Sequence, residues 1–341
     1  MHDTTLVGID LGKHSFHLHG QSRTGTQTLR KKVTRKQLLE FFATAKACTV
    51  VMEACAGSHH MARTLGALGH TVKLISPQFV KPFVKSNKND FVDAEAICEA
   101  AARPAMRFVT PKTEAQQTLS ALHRVRESFV QDRVKTVNQI HGFLLEFGVS
   151  LPVGKAVIAR LPVVLSEHSL PPRMVSIIER LHAHFKYLSE QIAELDKEMG
   201  RQLAEDDFGT RLMTIPGVGP ITASLLSAEM GDGKQYGGSR DFAASIGLVP
   251  RQYSTGGRAN LLGISKRGNK TIRRLLVQCA RAYMQRLDRQ TGRLAEWVKS
   301  MLTRRHSSVV ACALANKFAR TAWALAAHHT VFEPGSTTMS A

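Results

Sequence analysis

The arrangement of hydrophobic and polar residues changes near residue 113 of the chain. Before that point, short apolar or alternating runs typical of strands are interspersed with helical spacing. The predicted elements are strands over 5–11, 15–20 and 27–33, a helix capped by Thr34, a strand over 49–53, a helix over 58–68, a strand over 71–75 and a helix from Asp90 to before Pro104. Short Gly-containing turns join the first three strands and predict an antiparallel meander, whereas the later strands are predicted to be parallel. This order predicts an α/β layered domain.

The middle of the chain predicts two long helices. Residues 114–147 contain no proline or strand signal, and a second helix follows a break over 151–172 that contains proline and glycine. The apolar residues of the second helix recur in alternating steps of four and three, the repeat of a coiled coil. They are Met174, Ile178, Leu181, Phe185, Leu188, Ile192, Leu195 and Met199. We predict an antiparallel coiled-coil hairpin, with an ordinary buried helix as the alternative.

From Leu212 onwards, glycine and basic residues become more frequent and helices are predicted to dominate. Residues 214–230, TIPGVGPITASLLSAEM, place Pro-Gly-x-Gly-Pro before a helix, which is typical of a helix-hairpin-helix motif. The backbone amides of Gly217 and Gly219 would then contact phosphate without reading sequence. A tight turn between packed helices is the alternative. The predicted domains are 1–112 (α/β), 113–206 (helical hairpin) and 207–330 (helical C-terminal domain), followed by a disordered tail over 331–341.

The charge of the chain narrows the class of partner. Lys and Arg number 46 against 27 Asp and Glu, a formal net charge of +19, which favours a polyanion such as nucleic acid. The chain has no apolar run of membrane-spanning length and no signal-peptide pattern, so we expect a cytoplasmic protein with no membrane partner.

Five scattered cysteines predict reduced thiols, with neither a disulfide framework nor a zinc site. The histidine pairs at 59–60 and 328–329 lack ligand spacing and are interpreted as structural or surface residues.

The positive charge is concentrated in residues 251–305. This segment has 14 Lys and Arg against Asp288 and Glu296, about two thirds of the excess of the whole chain. Because it adjoins a Gly-rich stretch, we interpret it as a phosphate-binding surface, although a solvated helix face is the common alternative. The predicted nucleic-acid contacts are Gly217, Gly219, Arg251, Arg258, Lys266, Arg267, Lys270, Arg273 and Arg274.

Four acidic residues, which we call the acidic cluster, lie in or at the ends of predicted elements: Asp10, Glu53, Asp90 and Asp93. Asp10 lies within the first strand and Glu53 ends the fourth, so the two become neighbours if those strands pair. Asp90 and Asp93 lie one helical turn apart. Converging carboxylates repel one another unless cations neutralise them, and two Mg²⁺ ions, or Mn²⁺ instead, are a standard device for attack on a phosphodiester. Taken singly, each residue could be a turn or cap residue, Asp90 in particular being a candidate N-cap.

Ser254 is the candidate nucleophile. It lies in a stretch predicted to be flexible, with Gly256 and Gly257 after it and Arg251 and Arg258 on either side. That context supplies exposure and cations but no adjacent histidine to take the proton, so on chemistry alone a solvated turn residue is the ordinary interpretation.

The motifs that carry these residues resemble one protein family. The segments GIDLGKHSF, VVMEACAG and KNDFVDAEAI resemble the RNase H/RuvC-like domain of DEDD-type insertion-sequence transposases, and GLVPRQYSTGGR with ISKRGNK is similar to their C-terminal domain. This family comprises bridge-RNA-guided recombinases, with Piv-type DNA invertases as relatives, and the resemblance covers about residues 4–325. It implies that the acidic cluster coordinates divalent metal and that Ser254 joins covalently to DNA. Thr255 is adjacent to it, and Ser245 and Ser265 are weaker candidates.

The resemblance also implies a function and partners. We expect a DNA transposase of a bacterial mobile element, associated with the nucleoid, acting on double-stranded donor and target DNA. The family implies a structured guide RNA and assembly as a dimer to tetramer on DNA, with a catalytic site completed from both domains. Two other interpretations of the same residues stay open. One is a RuvC-like metal-dependent junction resolvase or nuclease that cuts with water, and the other is a non-enzymatic basic nucleic-acid-binding protein.

Overall fold

The computed structural model describes residues 3–85, 89–152 and 154–333. Contacts within the chain divide it into two units, Met1–Ala115 and Gln116–Ala341. The first is a mixed α/β unit and the second is mostly helical, as the hydrophobic pattern predicts. The finer boundaries at residues 112, 206 and 330 stay predictions. Of the predicted disordered tail, residues 334–341 lie outside the described residues.

The first unit is built on a six-stranded sheet. Its strands are β1 (Leu6–Leu11), β2 (Ser15–Gln21), β3 (Gln27–Thr34), β4 (Thr49–Glu53), β5 (Thr71–Ile75) and β6 (Phe108–Val109), in the spatial order β3-β2-β1-β4-β5-β6. The first three form the predicted antiparallel meander, and β4 and β5 run parallel to β1. The sixth strand pairs antiparallel with β5 and was not predicted, because two residues are too few to show an alternating pattern.

Helices cover both faces of the sheet. They are α1 (Arg35–Thr44), α2 (Ser58–Ala67), the short α3 (Pro77–Val80) and α4 (Asp90–Ala101). Val7 and Ile9 of β1 enter the core shared with α1 and α2, whereas the intervening Gly8 faces α4. Thr34 caps α1 as predicted, in a capping box with Gln37. The alternation along β1 therefore places Asp10 on the face that α4 covers.

The backbone of α4 touches the backbone of β1 at a glycine. A Cβ on Gly8 would lie 2.4 Å from Ala94 O and 2.9 Å from Cys98 Sγ, distances that no side chain tolerates. Cys98 is fully buried, and its thiol donates to His19 O at 3.2 Å, which ties α4 to β2 as well. This close contact fixes where the first turn of α4 lies against the sheet.

The second unit contains the predicted pair of long helices, α5 (Glu114–Leu145) and α8 (Pro172–Ala204). They run antiparallel: Arg126 binds the carboxylate of Asp196, and Arg133 Nη1 lies 3.4 Å from Ser189 Oγ. The apolar stripe of α8 is buried against α5, with Ile178 in one core with Ile140. The coiled-coil geometry stays a prediction. The connection predicted as a simple break contains two short helices, α6 (Lys155–Ala159) and α7 (Leu161–Glu167).

The rest of the second unit packs around one hydrophobic core. Its helices are α9 (Asp207–Leu212), α10 (Pro220–Met230), α11 (Ser239–Ser245), α12 (Lys270–Gln285), α13 (Arg293–Leu302) and α14 (Ser307–His328). The stretch around Ser254, predicted to be flexible, instead lies in a hairpin of β7 (Pro250–Gln252) and β8 (Leu261–Ile264). We call residues 250–264 the serine hairpin. Across the described ranges, no helix has an apolar stretch long enough to cross a bilayer.

Candidate active site

Two members of the acidic cluster end neighbouring parallel strands. Ile9 pairs with Met52, so Asp10 and Glu53 follow at the same level of β1 and β4. Ile9 and Met52 both enter the core under α1 and α2. Asp10 and Glu53 therefore point to the opposite face, towards α4. Both are half-buried.

The other two members come from the first turn of α4. The N-cap is Asn89, whose side-chain oxygen accepts from Phe91 N at 3.0 Å, so the alternative that Asp90 serves as N-cap is wrong. Asp90 is exposed and Asp93 is half-buried. Negative charge at a helix N-terminus is stabilised by the helix dipole, which offsets part of the cost of assembling these carboxylates.

Two carboxylates act on the charge of Glu53. Burial raises the pKa of Glu53 above its usual range, and the negative charges of Asp10 and Asp93 raise that pKa further. Asp90 is also part of this cluster, because one of its carboxylate oxygens lies within 4.8 Å of a carboxylate oxygen of Asp10. The structure thus brings all four members of the acidic cluster to one place, as the resemblance implies.

A histidine that the sequence pattern does not single out lies beside the acidic cluster. His17 of β2 is the register partner of Asp10, and its Nδ1 lies 3.5 Å from Asp90 Oδ2. The residue is only 4% exposed, and Nδ1 has no hydrogen-bond partner. The alternating segment SFHLHG indicates a strand with both faces buried, but only the register reveals that His17 is opposite Asp10.

These side chains fit a divalent cation. Carboxylate oxygens are the ligands that Mg²⁺ and Mn²⁺ take in proteins. One ligand atom each from Asp10, His17 and Asp90 lie within 4.8 Å of one another. A bound cation would remove the repulsion that raises the pKa of Glu53 and would satisfy the buried Nδ1 of His17.

Ser254 lies in the second unit, in the loop of the serine hairpin. The side chain is exposed, and its Oγ accepts hydrogen bonds from Gln252 Nε2 at 2.7 Å and from Asn260 N at 3.3 Å. Among the described residues, no histidine or carboxylate is hydrogen-bonded to this hydroxyl. Thr255 bridges to Arg258 across the tip of the loop. The geometry therefore presents the Ser254 hydroxyl to solvent without a proton acceptor of its own.

The weaker serine candidates have local structural partners. The hydroxyl of Ser245 donates to Phe242 O at 2.7 Å at the end of α11. The hydroxyl of Ser265 accepts from Arg267 N at 3.5 Å, just after β8. Both contacts lie near the base of the hairpin, where Ser245 is exposed and Ser265 is half-buried, whereas Ser254 lies in its loop.

The base of the serine hairpin is clamped by two glycines. Gly247 and Gly268 have φ of +71° and +66°. A Cβ on Gly268 would lie 1.7 Å from Ser245 O, and one on Gly247 would lie 2.3 Å from Arg267 O. The two backbone segments therefore approach each other as only glycine permits. The hairpin is held at its base and exposed at its tip.

Of the predicted nucleic-acid contacts, two arginines are already engaged within the fold. Arg273 Nη1 donates to Ile246 O at 2.8 Å and to Arg267 O at 2.6 Å, which braces the base of the hairpin. Arg274 makes a two-bonded pair with Glu127, at 2.7 and 2.6 Å. The other predicted basic contacts have exposed side chains: Arg251, Arg258, Lys266, Arg267 and Lys270.

The two glycines predicted to contact phosphate differ in their surroundings. Gly217 has φ of +84°, and a Cβ there would lie 2.7 Å from Cys279 O of α12, so its backbone packs against that helix. Gly219 precedes α10 in an extended conformation with open space beside it. Gly217 thus has a packing role, and phosphate contact by either residue stays a prediction.

Comparisons with known proteins match both units. A DEDD-type transposase profile matches residues 7–148, and the profile described as "Transposase IS116/IS110/IS902 family" matches residues 209–295. The chain is 64% identical to the transposase for insertion sequence element IS1328 of Yersinia enterocolitica, over 97% of this chain and 99% of that protein. It is 40% identical to the transposase for IS1111A of Coxiella burnetii, over 98% of this chain and 93% of that protein.

These matches extend over both the acidic cluster and the serine hairpin, and the DEDD-type domain indicates use of a divalent metal. The expectation of a DEDD-type insertion-sequence transposase is therefore confirmed. The chain belongs to the IS116/IS110/IS902 family of insertion-sequence transposases.

Proposed function

We propose that this transposase cuts and rejoins DNA strands with Ser254 as nucleophile and the acidic cluster as the binding site for two divalent cations, Mg²⁺ in the first instance. The observation that carries the proposal is the convergence of carboxylates from β1, β4 and α4, where burial and then the charges of Asp10 and Asp93 raise the pKa of Glu53. The meander followed by parallel strands supports assignment of the first unit to the RNase H/RuvC class.

The proposed chemistry is transfer of a phosphodiester. Ser254 Oγ forms a bond to phosphorus as the bond to one strand oxygen breaks, so that oxygen leaves as a hydroxyl and the other end stays esterified to the serine. Attack on that ester by a strand hydroxyl restores Ser254 and rejoins DNA. The acidic cluster would hold the divalent cations, whose charge would activate the nucleophile and stabilise the leaving oxygen. Arg251 and Arg258, exposed in the serine hairpin, supply further positive charge to the phosphate.

The hydrogen bonds of Ser254 set a condition for this attack. A hydroxyl has two lone pairs, and those of Ser254 are directed at donors on Gln252 and Asn260. One of these bonds must open for Oγ to reach phosphorus. The donors orient the hydroxyl before DNA arrives, and its proton must pass to a group that the isolated loop does not supply.

A Ser254→Ala variant tests the nucleophile. DNA carrying the end of the element is incubated with Mg²⁺ and protein, and covalent protein–DNA adducts are resolved on a denaturing gel. We expect the parent and a Ser265→Ala control to form the adduct, and Ser254→Ala and Asp10→Asn to form none. If Ser254→Ala still cuts without an adduct, water is the nucleophile and the protein acts as a metal-dependent nuclease. Adduct formed by Ser254→Ala but lost in Thr255→Val would shift the role by one residue.

The nucleic-acid partners belong to the same proposal. Donor and target double-stranded DNA, a guide RNA and a dimer or tetramer on DNA rest on the family resemblance, and the exposed basic residues of 251–270 are compatible with DNA or RNA. Sequencing of the nucleic acid that copurifies with the protein tests the guide. A discrete RNA encoded beside the gene supports guidance, whereas random fragments alone contradict it.

A further inference from the structure

A single buried histidine stands out beside the acidic cluster. His17 and Asp10 are paired residues of antiparallel strands, so their side chains lie side by side on the face covered by α4. Gly8, two residues before Asp10, allows α4 to approach closely enough for Asp90 to reach the same point. Three different elements thus contribute one side chain each.

The imidazole of His17 is held in one orientation. Its ring meets the ring of Phe91 edge to face, with centroids 4.6 Å apart and planes at 74°. Phe91 is itself covered by the guanidinium of Arg30, 4.6 Å from the ring centroid. The first turn of α4 therefore positions Asp90 and, through Phe91, the imidazole ring of His17.

The Nδ1 atom of His17 is buried without a hydrogen-bond partner. A buried polar atom without a partner is costly, and native folds retain few of them without a reason. Asp90 Oδ2 is the nearby acceptor, but at 3.5 Å the contact does not satisfy Nδ1. A cation between Nδ1 and the carboxylates of Asp10 and Asp90 would satisfy Nδ1 and take an oxygen from each carboxylate.

The other buried histidine of this strand shows that the feature is specific to His17. His19 lies on the same face of β2 and is equally buried, at 4% exposed. Its Nε2 is 3.3 Å from Gln21 Nε2, within hydrogen-bonding distance. Elsewhere in the described ranges, His182 Nε2 also lacks a partner, but only Asp10, His17 and Asp90 form a group spaced to hold an ion.

We propose that His17 is a direct metal ligand, through Nδ1, of a divalent ion that it holds together with Asp10 and Asp90. This inference deepens the proposed function and rests on its metal site. Asp10 is then a ligand of both ions: the one shared with His17 and Asp90, and the one shared with Glu53 and Asp93. One of the two ions has mixed nitrogen and oxygen ligands, and the other has oxygen ligands from the chain.

A nitrogen ligand changes which metal the site prefers. Mg²⁺ favours an all-oxygen shell, whereas imidazole suits transition metals, and Mn²⁺ accepts both kinds of ligand. We therefore expect the parent to bind Mn²⁺ more tightly than Mg²⁺. Replacement of His17 by glutamine, which offers an oxygen, should lower Mn²⁺ affinity by roughly tenfold or more and Mg²⁺ affinity much less.

The test is pulsed electron paramagnetic resonance on the full-length protein loaded with Mn²⁺ alone. A directly bound imidazole gives a ¹⁴N modulation of the spin echo that a carboxylate cannot give. We expect this modulation in the parent and in the matched control His19→Gln, and its loss in His17→Gln. Calorimetric titration of the same proteins with Mn²⁺ and with Mg²⁺ measures the change in preference.

Each outcome decides the matter. Mn²⁺ bound by the parent without ¹⁴N modulation overturns the assignment of His17 while the carboxylate metal site stands. Modulation that persists in a folded His17→Gln also overturns it, because another nitrogen is then the ligand. If the parent binds neither ion, the metal site of the proposed function fails as well. If His17→Gln does not fold, His17→Asn takes its place in the same measurement, and absence of the modulation in the parent overturns the assignment without any variant.

Discussion

The acidic cluster and the serine hairpin differ in how much of the fold holds them in place. The cluster is assembled from β1, β4 and α4, and the glycine contact at Gly8 sets the distance between strand and helix. Ser254 lies in an exposed loop, fixed at its base by Gly247 and Gly268 and oriented by two local hydrogen bonds. The acidic cluster is positioned by a buried core before any ligand binds, whereas the Ser254 hydroxyl is positioned only by contacts within its own hairpin.

The two features have different structural requirements for function. Carboxylates that repel one another must be held by packing, because nothing else in the free protein brings them together. A nucleophile that must reach a large substrate such as DNA needs exposure more than rigidity. Changes in the cluster should therefore trade activity against stability, whereas changes at the tip of the hairpin should alter activity alone.

The largest effect is expected from Glu53→Gln. Loss of one carboxylate should lower the rate of DNA cleavage by roughly a thousandfold or more, since bound cations contribute several kcal/mol of charge stabilisation. In EDTA the same variant should melt at an equal or higher temperature, because repulsion from Asp10 and Asp93 is removed. Cleavage assays and thermal melts measure the two quantities.

The control for this variant is Glu99→Gln, on α4 but paired with Lys85. It should leave cleavage unchanged. A Glu53→Gln protein that cuts DNA at the parental rate would contradict a role of the acidic cluster in cleavage. A variant less stable than the parent in EDTA would contradict the repulsion between Glu53 and its neighbouring carboxylates.

His123 in the second unit and Glu53 in the first should contribute to the response to acid with opposite signs. In the second unit, burial and the charge of Arg126 lower the pKa of His123 to about 4, and its ring is hydrogen-bonded to the buried Ser224. The unfolded chain binds a proton near pH 6.5 and the folded unit does not. Stability present above pH 6.5 is therefore lost as pH falls towards 4, by up to about 3 kcal/mol. The raised pKa of Glu53 acts oppositely, since this carboxyl binds a proton more readily in the folded unit, so its own contribution to stability grows as pH falls.

Tryptophan fluorescence can follow the second unit alone, because Trp297 and Trp323 both lie there. Urea unfolding between pH 7 and 4 should show the loss in the parent and a flatter dependence in His123→Gln. Identical pH dependence in the two proteins would show that His123 does not titrate as its burial requires.

Gly8→Ala should weaken the first unit by about 1–3 kcal/mol, since the added Cβ overlaps Ala94 O and Cys98 Sγ. It should also lower affinity for Mn²⁺, because α4 carries Asp90 and Asp93 away from Asp10. Gly66→Ala in α2 is the matched control: its Cβ meets nothing within 4 Å, so a helical alanine there should be neutral or stabilising. Circular dichroism melts and Mn²⁺ titration measure both effects, and equal behaviour of the two variants would exclude the close contact.

The smallest effect concerns the basic residues beside the hairpin. Replacing Lys266 and Arg267 by alanine should lower DNA affinity and reduce the slope of log affinity against log salt by about 2, as expected for two lost phosphate contacts. The control replaces Lys36 and Lys46, two exposed lysines of the first unit, by alanine. Equal salt slopes for the two double variants would mean that the hairpin region is not the phosphate-binding surface.

Much of the first unit follows from local sequence patterns. Alternating apolar residues predict the strands to within one or two residues, and Thr34 predicts the start of α1 because its capping interaction is local. Neither the two-residue β6 nor the four-residue α3 is long enough to show a period. Asn89, not Asp90, caps α4, since both residue types favour that position and only the backbone decides between them.

The members of the acidic cluster could be selected from sequence because the order of the predicted elements brings them together and because their motifs resemble those of one family, although each alone could be a turn or cap residue. His17 could not, since its importance depends on the register that sets it opposite Asp10. The serine hairpin was also missed, because its glycine-rich loop resembles a flexible segment and its strands are only three and four residues long. The internal pairing of Arg274 with Glu127 joins residues far apart in the chain, which composition cannot reveal.

The most direct test of the central claim is cleavage of labelled DNA carrying the end of the element by the parent and by Asp10→Asn, each with Mg²⁺ and with EDTA. We predict cleavage and a covalent adduct only for the parent with Mg²⁺. We also predict that Asp10→Asn is inactive although it melts at or above the temperature of the parent in EDTA. Cleavage by a folded Asp10→Asn at the parental rate, or equal cleavage by the parent in EDTA, would contradict a metal-dependent mechanism at the acidic cluster.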